Sequence, residues 1–254
     1  MSESNAAWFP ARRTRARNGV SPTSSVDGTR FAPVYAINNP ERGVVVNPFL
    51  AERKSGWWDS VGKDTLVDDA LVYVELESEA TKVRTFKIDL VDGLMQTPEY
   101  TAAVIRANQP WTSEALIRRR VGARNRRQAR LHSPNPIHLE AIITEGALRI
   151  QVGGPDVMRR QLRHLIDLSE LPNVDLRVVP ATEAYPAMGT PFYILSFDAR
   201  YPDIGYVELL DKGIYLEEPD DVELYVIRFQ GLRAVALEPD ASRELIAAIG
   251  FGRA

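Results

Sequence analysis

Glu75 and Glu79 stand four residues apart in a stretch with helical apolar spacing, so they share one face of a helix. Carboxylates that close couple their protonation. On a buried face one of them would be held neutral and could pass a proton to or from a substrate. Glu145 and Glu208 are further candidates for that role if either lines a pocket. Tyr206 and Tyr215 offer phenolic hydroxyls as hydrogen-bond donors, while Trp57, Trp58 and Phe192 supply apolar ring surface for a pocket wall. No spacing among these groups names a reaction, and solvated or ion-paired carboxylates are their commoner fate.

The second chemically active pattern is cationic. Arg118, Arg119, Arg120, Arg124, Arg126, Arg127 and Arg130 crowd one helix, although the whole chain carries a formal charge of only −3. Spacings of four and three residues align Arg120, Arg124 and Arg127 on one side. Such a face suits an acidic protein partner, the acid-rich region beyond Tyr201 of this same chain, or nucleic-acid phosphate, and homodimer formation could use it too. Zinc-finger spacing, a leucine-zipper register and a paired helix-turn-helix are not evident, so a protein partner or a small organic ligand is expected before DNA.

Several chemistries are excluded or disfavoured by composition. Cysteine is absent, which removes disulfides, thiol nucleophiles and thiolate metal sites. The three histidines, His132, His138 and His164, are dispersed and lack metal-ligand spacing, so no metal is expected. Gly153, Gly154 and Pro155 read as a strand-to-helix junction without the lysine and hydroxyl of a phosphate loop. No cofactor is therefore expected, and any catalysis would be proton transfer, cyclisation or rearrangement. No apolar run approaches the roughly 18 residues of a membrane span, and Met1–Pro10 lacks the apolar core of an export signal, so a cytoplasmic protein is expected.

The elements that must position these residues begin after an arm. Residues 1–55 carry Arg12, Arg13, Arg15 and Arg17, then a Ser- and Pro-rich break at Ser21–Ser25, with short strand patterns at Phe31–Ile37 and Val44–Val46. From Gly56 onward apolar periodicity sets in. Leu71, Val74, Leu76, Ala80 and Val83 predict an amphipathic helix, with Lys82 and Lys87 toward solvent. In Leu90–Tyr100, Gly93 permits a positive φ or close backbone packing, and Thr97 caps a helix that Pro98 opens. Ser113–Arg130 predicts the basic helix. Strands are expected within Ile137–Ile150 and at Val174–Val179, Phe192–Phe197, Gly205–Leu210 and Gly213–Leu216, with helices around Met158–Ile166, Asp220–Leu237 and Ala241–Ile249. Leu162, Leu165, Ile166, Phe192, Ile194 and Val207 are the expected core. The fold class is α+β: a small mixed sheet covered by helices on one side, over residues 56–254, with an extended N-terminal arm.

A family likeness emerges from ordered motifs: Trp57–Trp58, VELESEA at Val74–Ala80, VDGLMQTPEY at Val91–Tyr100, Arg124 with Arg127–Gln128, and Gly153-Gly-Pro-Asp-Val-Met. Gln161–Leu165, Pro172-Asn-Val, Pro191-Phe and Tyr206-Val-Glu continue it. The body resembles the C-terminal domain of unknown function (DUF5753-like) of actinobacterial XRE-family and antitoxin-like transcriptional regulators. Asp92 stands where the similar sequences usually carry proline. Those regulators place a helix-turn-helix ahead of the body, and residues 1–55 look too short and too broken to form one. The resemblance implies a regulatory or ligand-linked protein-binding module without a DNA reader. The alternative is a cofactor-free enzyme of natural-product biosynthesis on the same scaffold.

Overall fold

The computed structural model describes residues 56–60, 65, 68–198, 201–209 and 212–252. The expected arm, its short strands and the boundary at residue 55 lie outside them. Among the described residues a six-stranded mixed sheet carries β1 (Lys82–Lys87), β2 (His138–Thr144), β3 (Val174–Val179), β4 (Phe192–Ser196), β5 (Ile204–Glu208) and β6 (Gly213–Leu216), in the order β3-β2-β1-β4-β5-β6. β1, β2 and β3 run parallel, while β4, β5 and β6 continue antiparallel from the other side of β1. Seven α-helices accompany them: α1 (Asp68–Glu79), α2 (Pro98–Asn108), α3 (Glu114–Gln128), α4 (Glu145–Arg149), α5 (Pro155–Leu168), α6 (Pro219–Val235) and α7 (Pro239–Phe251). The α+β class holds, and no described helix is long and apolar enough to cross a membrane.

Local chemistry sets the helix starts. Thr97 accepts from the Tyr100 amide, Ser113 from Leu116 and Thr144 from Ala147, each at 3.3 Å. Pro98, Pro155, Pro219 and Pro239 each open a helix, where a missing N–H costs nothing. Gly153 has φ +72°, and a β-carbon there would come within 2.9 Å of the Ala103 methyl, so the turn from α4 into α5 needs glycine. The junction expected as strand-to-helix is thus helix-to-helix.

One expected helix ends early. The apolar pattern from Leu71 predicts helix through Val83, but α1 stops at Glu79 and Val83 belongs to β1. Val83, Thr85 and their alternation with Arg84 and Phe86 fit a strand, and the Thr81 amide is already committed to the Ser196 carbonyl. Strand alternation then moves Lys87 out of its expected solvent position, with consequences for the site.

The strands divide their side chains between two faces. Phe86, Ile142, Val179, Phe192, Ile194 and Val207 point one way and form a core with Val222, Phe229 and Leu232 of α6. Thr85, Tyr193, Tyr206 and Tyr215 are in register on the other face, beneath α1, α2 and α3. Helices therefore cover both faces, not one as expected. Of the expected core, Leu162 and Leu165 are buried but lie on α5, which packs on α7, α2 and the 3-10 turn Gly93–Met95, apart from the Phe192 cluster. Ile166 is half-buried. The outer edge of β3 is closed by hydrogen bonds from the α6–α7 connection: Leu237 N–H to the Val178 carbonyl, and Val178 N–H to Ser242 Oγ.

Candidate functional site

The segment Val91–Thr97 is buried throughout, and side chains from three helices answer its backbone. Gln161 of α5 donates to the Met95 carbonyl and accepts from the Thr97 amide, both at 2.7 Å. Gln128 of α3 donates to the carbonyls of Gly93 (2.9 Å) and Gln96 (2.7 Å), and Gln96 donates back to Val91 (2.7 Å). Asp92 has φ −59°, a value proline also adopts, and its carboxylate accepts from the Leu94 amide at 2.9 Å and from Thr85 at 3.5 Å. Buried backbone without such partners would cost about 1–3 kcal/mol per group, so this frame fixes the position of whatever leans on it. Gly93 needs no positive φ; it is a close approach, with a β-carbon position 3.5 Å from the guanidinium groups of both Arg124 and Arg127.

That frame, α1, α2, α3 and the tyrosine face of the sheet enclose a cavity of about 320 Å³. Its apolar lining comes from Val74, Leu90, Val91, Val104, Ile105 and Ala123, and its rings from Tyr73, Tyr193 and Tyr206. Among the described residues its charged lining is Lys87, Arg120, Arg124 and Arg127 with the single carboxylate Glu208. The ring of Tyr206 lies over Gly213, where a β-carbon would clash at 2.3 Å, so the glycine of β6 keeps that ring in place. Tyr73 stacks near both Tyr193 and Tyr206, with centroids 5.1 and 4.8 Å away.

Arg120, Arg124 and Arg127 of α3 thus face inward. Arg127 forms a bidentate pair with Glu77 at 2.7 Å for both bonds and lies over the Tyr73 ring. Burial opposes its charge, but Glu77 more than compensates and holds its pKa well above the ordinary value. Arg124 donates to the Gln96 amide oxygen and Arg120 to the Gln109 amide oxygen, each at 2.6 Å. Burial, and then the neighbouring Arg127 charge, pushes the Arg124 pKa down. Lys87 places its ammonium 4.1 Å from the Tyr193 ring centroid, and burial pushes its pKa down as well. Burial also raises the Tyr73 and Tyr193 hydroxyls well above ordinary tyrosine, with Glu77 adding to the first and Asp92 to the second. Both hydroxyls are neutral donors.

The expected site residues separate accordingly. Arg120, Arg124, Arg127, Tyr206 and Glu208 come together at the cavity. The face that the three arginines share is therefore a cavity wall, while Arg118, Arg119 and Arg126 occupy the exposed side of α3. Tyr215 packs on Tyr206 at 4.9 Å without lining the cavity. Phe192 belongs to the core on the opposite face, where alternation must put it if Tyr193 faces the cavity. Trp57 and Trp58 pack edge-to-face at 5.8 Å outside the lining, with Arg126 over Trp57. Glu75 is buried and Glu79 half-buried on α1, neither lining the cavity. Glu145 is bound to Arg149 and to the Ala181 amide, which lower its pKa, the amide first. Tyr73, Lys87, Gln96, Gln109 and Tyr193 are cavity residues that the sequence reading did not single out.

The profile of the family described as a domain of unknown function (DUF5753) matches residues 71–248. The chain belongs to this family. The matched span holds every cavity-lining residue except Thr65 and Ala70, so the cavity is built almost wholly within the DUF5753 domain. Comparison with curated proteins and with solved structures finds no match. Among the described residues no cluster of histidine and carboxylate side chains could hold a metal ion.

Proposed function

We propose that this DUF5753 chain is a ligand-responsive regulatory module, in which a small organic molecule seated in the cavity sets what helix α3 presents to a protein partner. The observation that carries the reading is the cavity itself, a pre-formed space whose wall combines three tyrosine rings and aliphatic side chains with a few convergent polar groups. A volume near 320 Å³ lies at the small end of ligand pockets, which run from about 300 to 1,000 Å³. Helix α3 links inside to outside, since its inner arginines meet the cavity and its outer ones, Arg118, Arg119 and Arg126, are available to an acidic partner. The likeness to the bodies of XRE-type regulators supports the same role, which would be exercised in the cytoplasm.

The test is hydrogen exchange of the full chain against a library of neutral and charged aromatic compounds, with Ala123→Phe and Val104→Phe as cavity-filling variants. Binding should slow amide exchange in α3 of the wild type and be lost in both variants. Binding that survives both variants, or a wild type that binds nothing, overturns the reading.

One observation favours a second reading, a cofactor-free enzyme of proton transfer, cyclisation or rearrangement: Glu208 and the desolvated Lys87 border the same cavity. Turnover of a bound compound by the wild type and not by Glu208→Gln would establish it. Full turnover in that variant would remove the carboxylate from the mechanism.

A further inference from the structure

We propose that the cavity takes an organic oxyanion, a carboxylate, sulfonate or phosphate on an apolar ring-sized body, gripped by Arg124, Arg120 and Lys87; this rests on the cavity being a ligand site. Arg127 is spent on Glu77, but among the described residues Arg124 and Arg120 hydrogen-bond only to amide oxygens, and Lys87 meets only a ring face. Among the described residues none of these three makes an ion pair with a carboxylate, and Glu208, the one acidic group of the lining, pairs with none of them. A half-buried cation that meets no carboxylate carries a desolvation cost that an anion in the cavity would offset.

Asp92 does not fill that role. It is buried behind the lining, and its oxygens are occupied by the Leu94 amide, Thr85 and the Tyr193 hydroxyl. It eases the cost of the cations from behind and leaves their cavity side free. Amide tethering is also the geometry a receptor needs. Gln96 and Gln109 each fix one guanidinium nitrogen by accepting from it, which holds the arginine in place without cancelling its charge. The remaining wall of Tyr193, Tyr206, Val104 and Ile105 is apolar and calls for carbon, which distinguishes an organic anion from a free inorganic one.

Two dyes that differ by one anionic group test this on the full chain: anilinonaphthalene sulfonate and its neutral counterpart N-phenylnaphthylamine. The wild type should bind the sulfonate more tightly. Lys87→Met and Arg124→Gln should each weaken the sulfonate about tenfold or more while moving the neutral dye little. Among the described residues the Lys87 ammonium makes no hydrogen bond that its replacement would break, so Lys87→Met keeps the test alive if Arg124→Gln unfolds. Equal affinity for the two dyes, equal losses in the charge variants, or no binding of the sulfonate overturns the proposal. Phenyl phosphate should displace the dye and inorganic phosphate should not; equal displacement by both would refute the organic body. If Ala123→Phe leaves both dyes bound, the dyes sit elsewhere and the cavity reading itself fails, whereas loss of both dyes with no preference for the sulfonate sinks only the anion.

Discussion

The two faces of the sheet handle charge in opposite ways. On the α6 face Lys82 is paired with Glu140, Arg84 with Asp203, Arg177 with Asp175 and Glu238, and Arg233 with Asp175. Each cation there has a carboxylate, and the rest of that face is closed apolar core. Across the same strands, Lys87, Arg120 and Arg124 border a cavity, and among the described residues none of them has a carboxylate partner. Alternation along β1 and β4 is all that separates the two, since Phe86 and Lys87 are neighbours, as are Phe192 and Tyr193. The α6 face answers these cations from within the chain, whereas on the cavity face the proposed anion would answer them from outside.

The sharpest way to break this contrast is through the neighbours Phe192 and Tyr193. Phe192→Ala should cost about 3–5 kcal/mol in urea unfolding, because the ring is fully buried among Phe86, Tyr225 and their neighbours and the site cannot easily collapse. Tyr193→Phe removes one hydroxyl, bonded to Asp92 behind the cavity wall, and should cost less, about 1.5–3 kcal/mol. Comparable losses from the two would show that the cavity face is as tightly closed as the core.

Next in size is Arg127, the cavity-lining cation that is paired with a carboxylate. Glu77→Gln leaves Arg127 buried with its charge unanswered and should destabilise by about 3 kcal/mol. Adding a bound oxyanion should recover part of that loss, since it supplies a charge near the same group. A variant as stable as wild type would mean that Arg127 relaxes to solvent and that the cavity is more open than its geometry indicates.

Legibility in the sequence followed the range of the interaction. Thr97, Ser113 and the helix-opening prolines act within a turn of their own position, and they do what their types dictate. Five of the six strands were readable from β-branched and aromatic runs. β1 was not, because VELESEA and the residues after it keep apolar spacing that suits a helix until Thr81 finds Ser196, a partner distant in sequence. Losing β1 also lost Lys87 and with it the charge pattern of the site. The arginine cluster was visible, but helix periodicity gives only which arginines share a face. Whether that face meets solvent or a cavity depends on Glu77, Gln96 and Gln109, which arrive from α1, the frame and α2. Tyr193 could have been found by noting that, beside a core Phe192, it must face the other way.

A pH series sharpens the contrast further. Burial lowers the Lys87 pKa, so the unfolded chain holds that proton more tightly than the folded one. The charges that face it are Asp92, Glu208 and Asp89, which favour its proton, and Arg124, which opposes it. Stability from this group therefore rises with pH, from the lowered folded value up to the ordinary lysine value of about 10.4. Lys87→Met should be more stable than wild type near neutral pH, with the advantage fading across that window in thermal melts. Binding of a sulfonate should weaken as pH rises through the folded Lys87 pKa, because the anion prefers the protonated amine. A stability difference that does not change with pH would mean that Lys87 is as well solvated as a surface lysine.

The smallest effect is expected where the paired face meets water. Glu140 bridges Lys82 and, at 3.7 Å, Arg233. Those partners are 37% and 41% exposed, so solvent screens what the carboxylate contributes, and Arg233 keeps its 2.8 Å contact with Asp175 when Glu140 is gone. Glu140→Gln should therefore cost less than about 1 kcal/mol in urea unfolding and leave sulfonate binding where it was. Both halves matter. A large loss of stability would make the ionic row a structural keystone, and a large change in dye affinity would show that charge on the paired face reaches through the sheet to the cavity, so that the two faces are not independent.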